Sequence, residues 1–310
     1  MPEARNRRAG STSGQRTIGL VAPSGPLADP TLVDRAAESL VRRGWRVVAG
    51  DGPFRRHQRF AGTDEERLAE LEAFCTDPTL DVVLAVRGGY GMSRLLNRID
   101  WPALRDGAPL IVGFSDFTAF NLALLARTGR TSFQGPTLAD FAREDDFTAS
   151  RFLDVIEAPR YRVDFVASPR RDLDVTGRLW GGNLAMVCSL VGTPFLPRIR
   201  GGILFLEDVN EAPYRVDRML YQLLNAGILE RQRAIVLGEF SPPAGQPPGD
   251  GFDFAAIVAQ IGAAIATPVL GGLPFGHGPR RETLAVGARA RLVCREGRAE
   301  LEIDRYPSLA

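Results

Sequence analysis

Four segments carry side chains able to do nucleophilic chemistry, and each lies where an apolar run ends or a loop is fixed. Ser115, in Gly113-Phe114-Ser115-Asp116, follows the run PLIVGF and precedes a helical pattern. A sharp strand-to-helix turn there would raise the hydroxyl at the carboxyl edge of a sheet and aim the next backbone N–H at the same space, the logic of a nucleophile elbow. Phe117 stands where GxSxG has its second glycine, so a helix N-cap by Ser115 or Asp116 is the competing reading. In Arg87-Gly88-Gly89-Tyr90-Gly91, successive glycines allow N–H groups to turn toward that edge. Arg94 replaces the third glycine of GxGxxG, which favours an oxyanion-binding turn over a dinucleotide site; a plain tight turn is the alternative. Glu207 closes ILFLE, with Asp208, Glu211 and Asp217 nearby, and a solvated loop acid competes with a functional one. His277 sits in LPFGHGP, a loop fixed by Gly and Pro, whereas His57, in FRRHQRF, reads as a solvated surface residue.

Composition narrows what these groups can do. The chain has 310 residues and a formal net charge of +1, which gives no bulk electrostatic case for nucleic acid or membrane. All 38 basic residues are Arg, so Schiff-base chemistry, a phosphate-loop lysine and a Ser–Lys dyad are excluded. With two histidines in the chain, imidazole catalysis must use His57 or His277. Cys75, Cys188 and Cys294 are scattered, and neither paired CxxC nor HExxH occurs. No metal and no cofactor is therefore expected, and the thiols fit a reducing cytosol. No apolar run reaches membrane-spanning length, and MPEARNRRAGSTSGQR lacks an apolar signal core, so a cytoplasmic location is expected.

The elements that must position these residues follow from periodicity. TIGLV, WRVVA, DVVLAV and PLIVG read as buried strands separated by helices, which requires a parallel sheet covered on both faces. In residues 30–43, Leu32, Ala36, Leu40 and Val41 share a helical face. Thr63 and Glu66 have capping-box spacing at the start of the next helix. The predicted organisation is a disordered tail (1–16), an open parallel-sheet, flavodoxin-like α/β domain (17–150), a polar linker (151–172) and a mixed α/β domain (173–310). Residues 283–303 read as a final hairpin turning at Glu296-Gly297, and 241–251 as a Pro/Gly-rich loop.

Seven motifs occur in order: APSGP (22–26), FAGTDEERL (60–68), RGGYG (87–91), GFSD (113–116), GRLWGGNL (177–184), LFLEDVNEAPYRVDR (204–218) and PFGH (274–277). Together they make the chain resemble the LD-carboxypeptidase family of serine peptidases, which includes muramoyltetrapeptide carboxypeptidases and microcin-C immunity hydrolases. The resemblance implies Ser115 as nucleophile, His277 as base and Glu207 as orienting acid. It also implies an oxyanion hole from the backbone N–H of Asp116 and of the Gly88-Gly89 turn, a site in the cleft between the domains, and a homodimer. It implies release of terminal D-Ala from murein tetrapeptides in peptidoglycan recycling. Two other roles compete: hydrolysis of aminoacyl-nucleotide antibiotics, and ligand binding without turnover. The chain departs from the family at Gln134-Gly135-Pro136, where a histidine often precedes Gly-Pro. The short segment between Pro136 and Gly177 resembles the recycling branch. Antibiotic hydrolysis would need an aromatic shelf, for which Phe141, Phe147, Phe152, Tyr161, Phe165 and Trp180 are the candidates.

Overall fold

A computed structural model describes residues 14–245 and 251–310. The first half alternates strand and helix: β1 (Thr17–Val21), α1 (Leu32–Arg42), β2 (Arg46–Ala49), α2 (Asp64–Thr76), β3 (Val82–Ala85), α3 (Trp101–Arg105), β4 (Leu110–Gly113), α4 (Thr118–Thr128) and β5 (Ser132–Gln134). These strands pair in parallel in the order β5-β4-β3-β1-β2. Every position of β1, β3 and β4 is buried, as a sheet covered on both faces demands. The Thr63–Glu66 capping box forms at the start of α2: the Thr63 hydroxyl accepts from the Glu66 N–H (3.2 Å), and the Glu66 carboxylate accepts from the Thr63 N–H (2.8 Å). On α1 the buried stripe is Val33, Ala36, Ser39 and Leu40, and Val41 is turned to solvent.

The second half adds α5 (Leu138–Phe141), α6 (Phe147–Glu157), β6 (Arg160–Val166), β7 (Leu173–Asn183), α7 (Leu184–Ser189), β8 (Ile203–Val209), α8 (Pro213–Asn225), β9 (Ala234–Ser241), α9 (Phe254–Ala264), β10 (Val269–Gly271), β11 (Leu284–Val286), β12 (Arg289–Arg295) and β13 (Arg298–Asp304). A seven-stranded sheet runs β10-β9-β8-β7-β12-β13-β6, parallel from β10 to β7 and antiparallel from there to β6. Its two halves show the two burial patterns expected of them. The first six residues of β8 are buried, whereas β6 alternates exposed and buried along its length.

Three features depart from the sequence expectation. The polar linker placed at 151–172 is most of helix α6 and all of edge strand β6, and β6 pairs with β13. The final hairpin is β12–β13 alone, with positive φ at both turn residues, Glu296 (51°) and Gly297 (82°). The residues before it, β11, leave the second sheet and pair antiparallel with β5, closing the edge of the first. Of the tail expected at 1–16, residues 1–13 lie outside the described residues, while Arg16 is paired with Glu157 at 2.6 Å. Buried apolar side chains of both sheets join in one continuous core, and α4 packs against both α7 and β7.

Candidate active site

Ser115 lies one residue, Phe114, beyond the end of β4 and opens a single 3-10 turn, Ser115–Phe117, that leads into α4. Its φ is +61°, a left-handed conformation that an L-residue adopts only under constraint from its surroundings. The Ser115 side chain does not cap the helix. Gly88 lies against this turn: a Cβ there would stand 2.7 Å from Ser115 Cβ, 2.9 Å from the Phe114 carbonyl oxygen and 3.0 Å from the Asp116 nitrogen. The glycine is thus required by the close approach of two backbones, and it brings the Gly88-Gly89 turn beside the Asp116 N–H. The Asp116 carboxylate accepts from the Met92 N–H (2.9 Å), and burial raises its pKa against the opposing pull of Ser24, Met92 and Arg67.

Two loops are locked around this turn. Gly25 N–H donates to the Gly88 carbonyl (3.2 Å). The fully buried guanidinium of Arg67, on α2, donates to the Pro23 and Gly91 carbonyls and pairs with Asp64 at 2.5 Å. One arginine therefore holds the APSGP loop against the RGGYG loop, which gives the FAGTDEERL segment a structural task.

On the second sheet, Glu207 lies within β8, two residues before its end, and is completely buried. The β8–β9 register slips here, so that Gly238 and Glu239 of β9 face the single residue Glu207. Glu207 Oε2 is 2.6 Å from His277 Nδ1, and Glu207 Oε1 accepts from the Asn183 amide (3.3 Å). That amide also donates to Asp208 (2.9 Å), whose pKa burial pushes up to about 6. The His277 ring packs on Phe114, the neighbour of Ser115, with centroids 4.6 Å apart. The first sheet's serine turn and the second sheet's His–Glu pair therefore meet at the Phe114–His277 contact.

Sequence reasoning missed the residues that hold His277 in place. Glu239 accepts from the Gly278 N–H (2.7 Å). The buried Arg281 donates to the Gly276 carbonyl (3.0 Å), forms a two-pronged ion pair with the buried Asp140 (2.6 and 2.8 Å), and lies 4.4 Å over the Phe114 ring. A third missed device joins the sheets. The Thr118 hydroxyl accepts from both the Gln134 amide (2.7 Å) and the Asn183 N–H (3.1 Å). Gln134, the departure noted at Gln134-Gly135-Pro136, is thus buried in the junction between β5 and β7. Apart from Arg281 and Gly276, five residues apart, these partners are distant in sequence, and a lone Thr, Gln or Arg carries no pattern.

His57 is exposed and bridges Phe60 in a surface loop, as expected. All three thiols are buried, and burial pushes Cys75 and Cys188 up to about 12. Among the described residues no group of three His, Cys, Asp or Glu could hold a metal ion, and no helix is long and apolar enough to cross a membrane.

Two family models match the chain: the LD-carboxypeptidase N-terminal domain over residues 18–135 and the LD-carboxypeptidase C-terminal domain over residues 176–292. The murein tetrapeptide carboxypeptidase of Pseudomonas aeruginosa is 30% identical, over 89% of this chain and 92% of its own. The crystal structure of muramoyltetrapeptide carboxypeptidase from Oxalobacter formigenes superposes with a TM-score of 0.88 at 42% identity, covering 94% of this chain and 100% of that one. The microcin C7 self immunity protein in complex with glutamyl sulfamoyl guanosine shares the fold, with a TM-score of 0.85 at 23% identity over 96% of this chain and 98% of its own.

Proposed function

The chain belongs to the LD-carboxypeptidase family, and from that premise we propose that it is a serine carboxypeptidase that releases terminal D-Ala from murein tetrapeptides. The observation that carries the reading is a constrained serine at φ +61° beside Phe114, whose ring packs on His277, with the half-buried His277 held 2.6 Å from the buried Glu207. A proton on His277 Nδ1 satisfies the Glu207 carboxylate, which leaves Nε2 as the base. In the reaction, Nε2 takes the Ser115 proton as Oγ adds to the scissile carbonyl carbon. The N–H groups of Asp116 and of the Gly88-Gly89 turn receive the oxyanion. The imidazolium, stabilised by Glu207, returns its proton to the leaving D-Ala nitrogen as the C–N bond breaks. Water then adds to the acyl-enzyme with His277 again as base, and Ser115 is regenerated.

Cleavage of aminoacyl nucleotides draws less support. Five of the six aromatics available for a base-stacking shelf, Phe141, Phe152, Tyr161, Phe165 and Trp180, are buried in the core, and the sixth, Phe147, is half-buried. We extend the reading to cytoplasmic recycling of cell-wall fragments by a homodimer, whose stoichiometry light scattering tests. The deciding assay gives the purified protein murein tetrapeptide and an aminoacyl sulfamoyl nucleotide side by side. Release of D-Ala by the wild type and not by Ser115→Ala supports the proposal, and turnover of the nucleotide alone overturns it. A fluorophosphonate that fails to label Ser115 would instead favour a binding protein.

A further inference from the structure

An exopeptidase must recognise a free terminus as well as a scissile bond. In the substrate proposed above, the terminal carboxylate lies one residue beyond the scissile carbonyl, at most about 3.6 Å of chain. Its anchor must therefore adjoin the oxyanion turn. A cavity of about 440 Å³ does so: it is lined by Gly89 and Gly25 of the two loops locked around that turn, and by Arg56, Arg59, Arg87 and Tyr90. Gly89 is the immediate neighbour of Gly88, which touches Ser115.

The charge on this cavity is one-sided. Arg55, next in sequence, is neutralised by Asp51 (2.9 Å) and Glu70 (3.6 Å). Among the described residues, Arg56, Arg59 and Arg87 take part in no ion pair, and no carboxylate lines the cavity. Arg87 is half-buried, and one of its guanidinium nitrogens is already spent on the Pro26 carbonyl (2.8 Å), which fixes the side chain across Gly25 and Gly89. Arg59 lies 5.9 Å over the Tyr90 ring. A guanidinium with its stem fixed and its remaining N–H groups uncommitted matches a carboxylate in shape and charge.

We propose that this cavity is the subsite for the substrate's free terminal carboxylate, with Arg87 as the principal ligand and Arg56 and Arg59 supplying the surrounding positive field. The inference rests on the carboxypeptidase reading above, and it assigns the restriction to chain ends to the loop pair rather than to the catalytic groups. An amide or an extended chain at that position would leave Arg87 facing a neutral group and lose the charge-assisted bond.

The test uses full-length Ser115→Ala protein titrated calorimetrically with murein tetrapeptide and with the same peptide ending in a carboxamide. The acid should bind about tenfold to a hundredfold tighter, the range of a charge-assisted hydrogen bond. Adding Arg87→Gln should abolish that preference, and Arg87→Lys should restore part of it. The pair Arg56→Gln and Arg59→Gln, both at exposed positions, should remove a smaller part and serves if the Arg87 variant fails to fold. Equal affinity for the two peptides, binding of neither, or a preference that survives every substitution overturns the subsite. Wild-type turnover separates the two proposals. Equal kcat/KM on acid and amide removes the subsite and leaves the hydrolase. Absence of turnover on either, with the acid preference intact in binding, removes the hydrolase and leaves the subsite.

Discussion

Replacing Gly88 with Ala isolates the oxyanion turn from the rest of the fold. Gly88 is outside the left-handed region, so the backbone itself accepts an L-residue and the whole effect is one of space. The new methyl would stand 2.7 Å from Ser115 Cβ, where carbon atoms rest at about 3.5–4.0 Å, an overlap of about 1 Å. The other two contacts, the Phe114 carbonyl oxygen at 2.9 Å and the Asp116 nitrogen at 3.0 Å, are backbone atoms that no rotamer change can move. The two turns must separate, which displaces both the serine and the Asp116 N–H from the position of the developing oxyanion. Overpacking of this kind costs about 1–3 kcal/mol of stability. Loss of one oxyanion donor costs about 10²–10³ in kcat, or about 2.7–4 kcal/mol of transition-state stabilisation. Steady-state D-Ala release measured on Gly88→Ala, beside its thermal denaturation, should give that fall in kcat with a folded protein. A folded variant whose kcat stays within about threefold of wild type would refute the reasoning, since a displaced donor cannot cost so little.

Glu207→Gln keeps the shape of the buried pair but turns an amide toward His277 Nδ1 while the other end still accepts from Asn183, so kcat should drop by about 10⁴ with KM little changed; a loss below about tenfold would sink the role given to Glu207. Arg281→Met removes the buried ion-pair partner of Asp140, leaving that carboxylate only Thr137 and the more exposed Arg143 at 3.5 Å, and should lower unfolding free energy by about 3 kcal/mol in urea titrations, with Arg281→Met/Asp140→Asn, which removes the charge but keeps an acceptor for Thr137, recovering part of it. Asp208 is raised by burial from the ordinary 3.8 to about 6, so between those pH values the folded state binds more protons than the unfolded. Its contribution to stability therefore falls by up to about 3 kcal/mol as pH rises from 4 to 6, and Asp208→Asn should flatten that limb of a Tm-against-pH curve; an unchanged slope would contradict the assignment.

The parallel sheet was legible because β3 and β4 are apolar at every position and β1 at all but its first, Thr17, a pattern that few alternatives share. The candidate nucleophile was legible for a related reason: Ser115 stands where an apolar run stops and a helical period begins. Its positive φ was not, because the constraint comes from Gly88 in another loop, and GFSD alone is compatible with an ordinary N-cap. The polar residues of 151–172 suggest a loop, yet in β6 Arg160, Arg162 and Asp164 are, with Val166, the exposed alternate positions of a one-sided edge strand. Strand β11 was folded into the final hairpin because an apolar triplet says nothing about which sheet it will join. The supports of His277 were invisible for a simpler reason: Arg281 and Asp140 are 141 residues apart, and only the fold brings them together.

Strand β11 also has a consequence for how the protein comes into being. The first sheet is built from residues 17–134, all made early, but its β5 edge is closed only by Leu284–Val286, near the end of the chain. During synthesis from the N-terminus the nascent first half must carry β5 without this partner until residues 284–286 have emerged. His277 lies seven residues upstream of that closing strand, and the Arg281 that anchors its loop to Asp140 lies between them. The step that pairs β11 with β5 is therefore also the step that sets His277 against Phe114, the neighbour of Ser115. In the order of synthesis, the strand that pairs with β5 and the loop that carries His277 arrive together, so an N-terminal fragment ending before residue 277 would hold Ser115 without either.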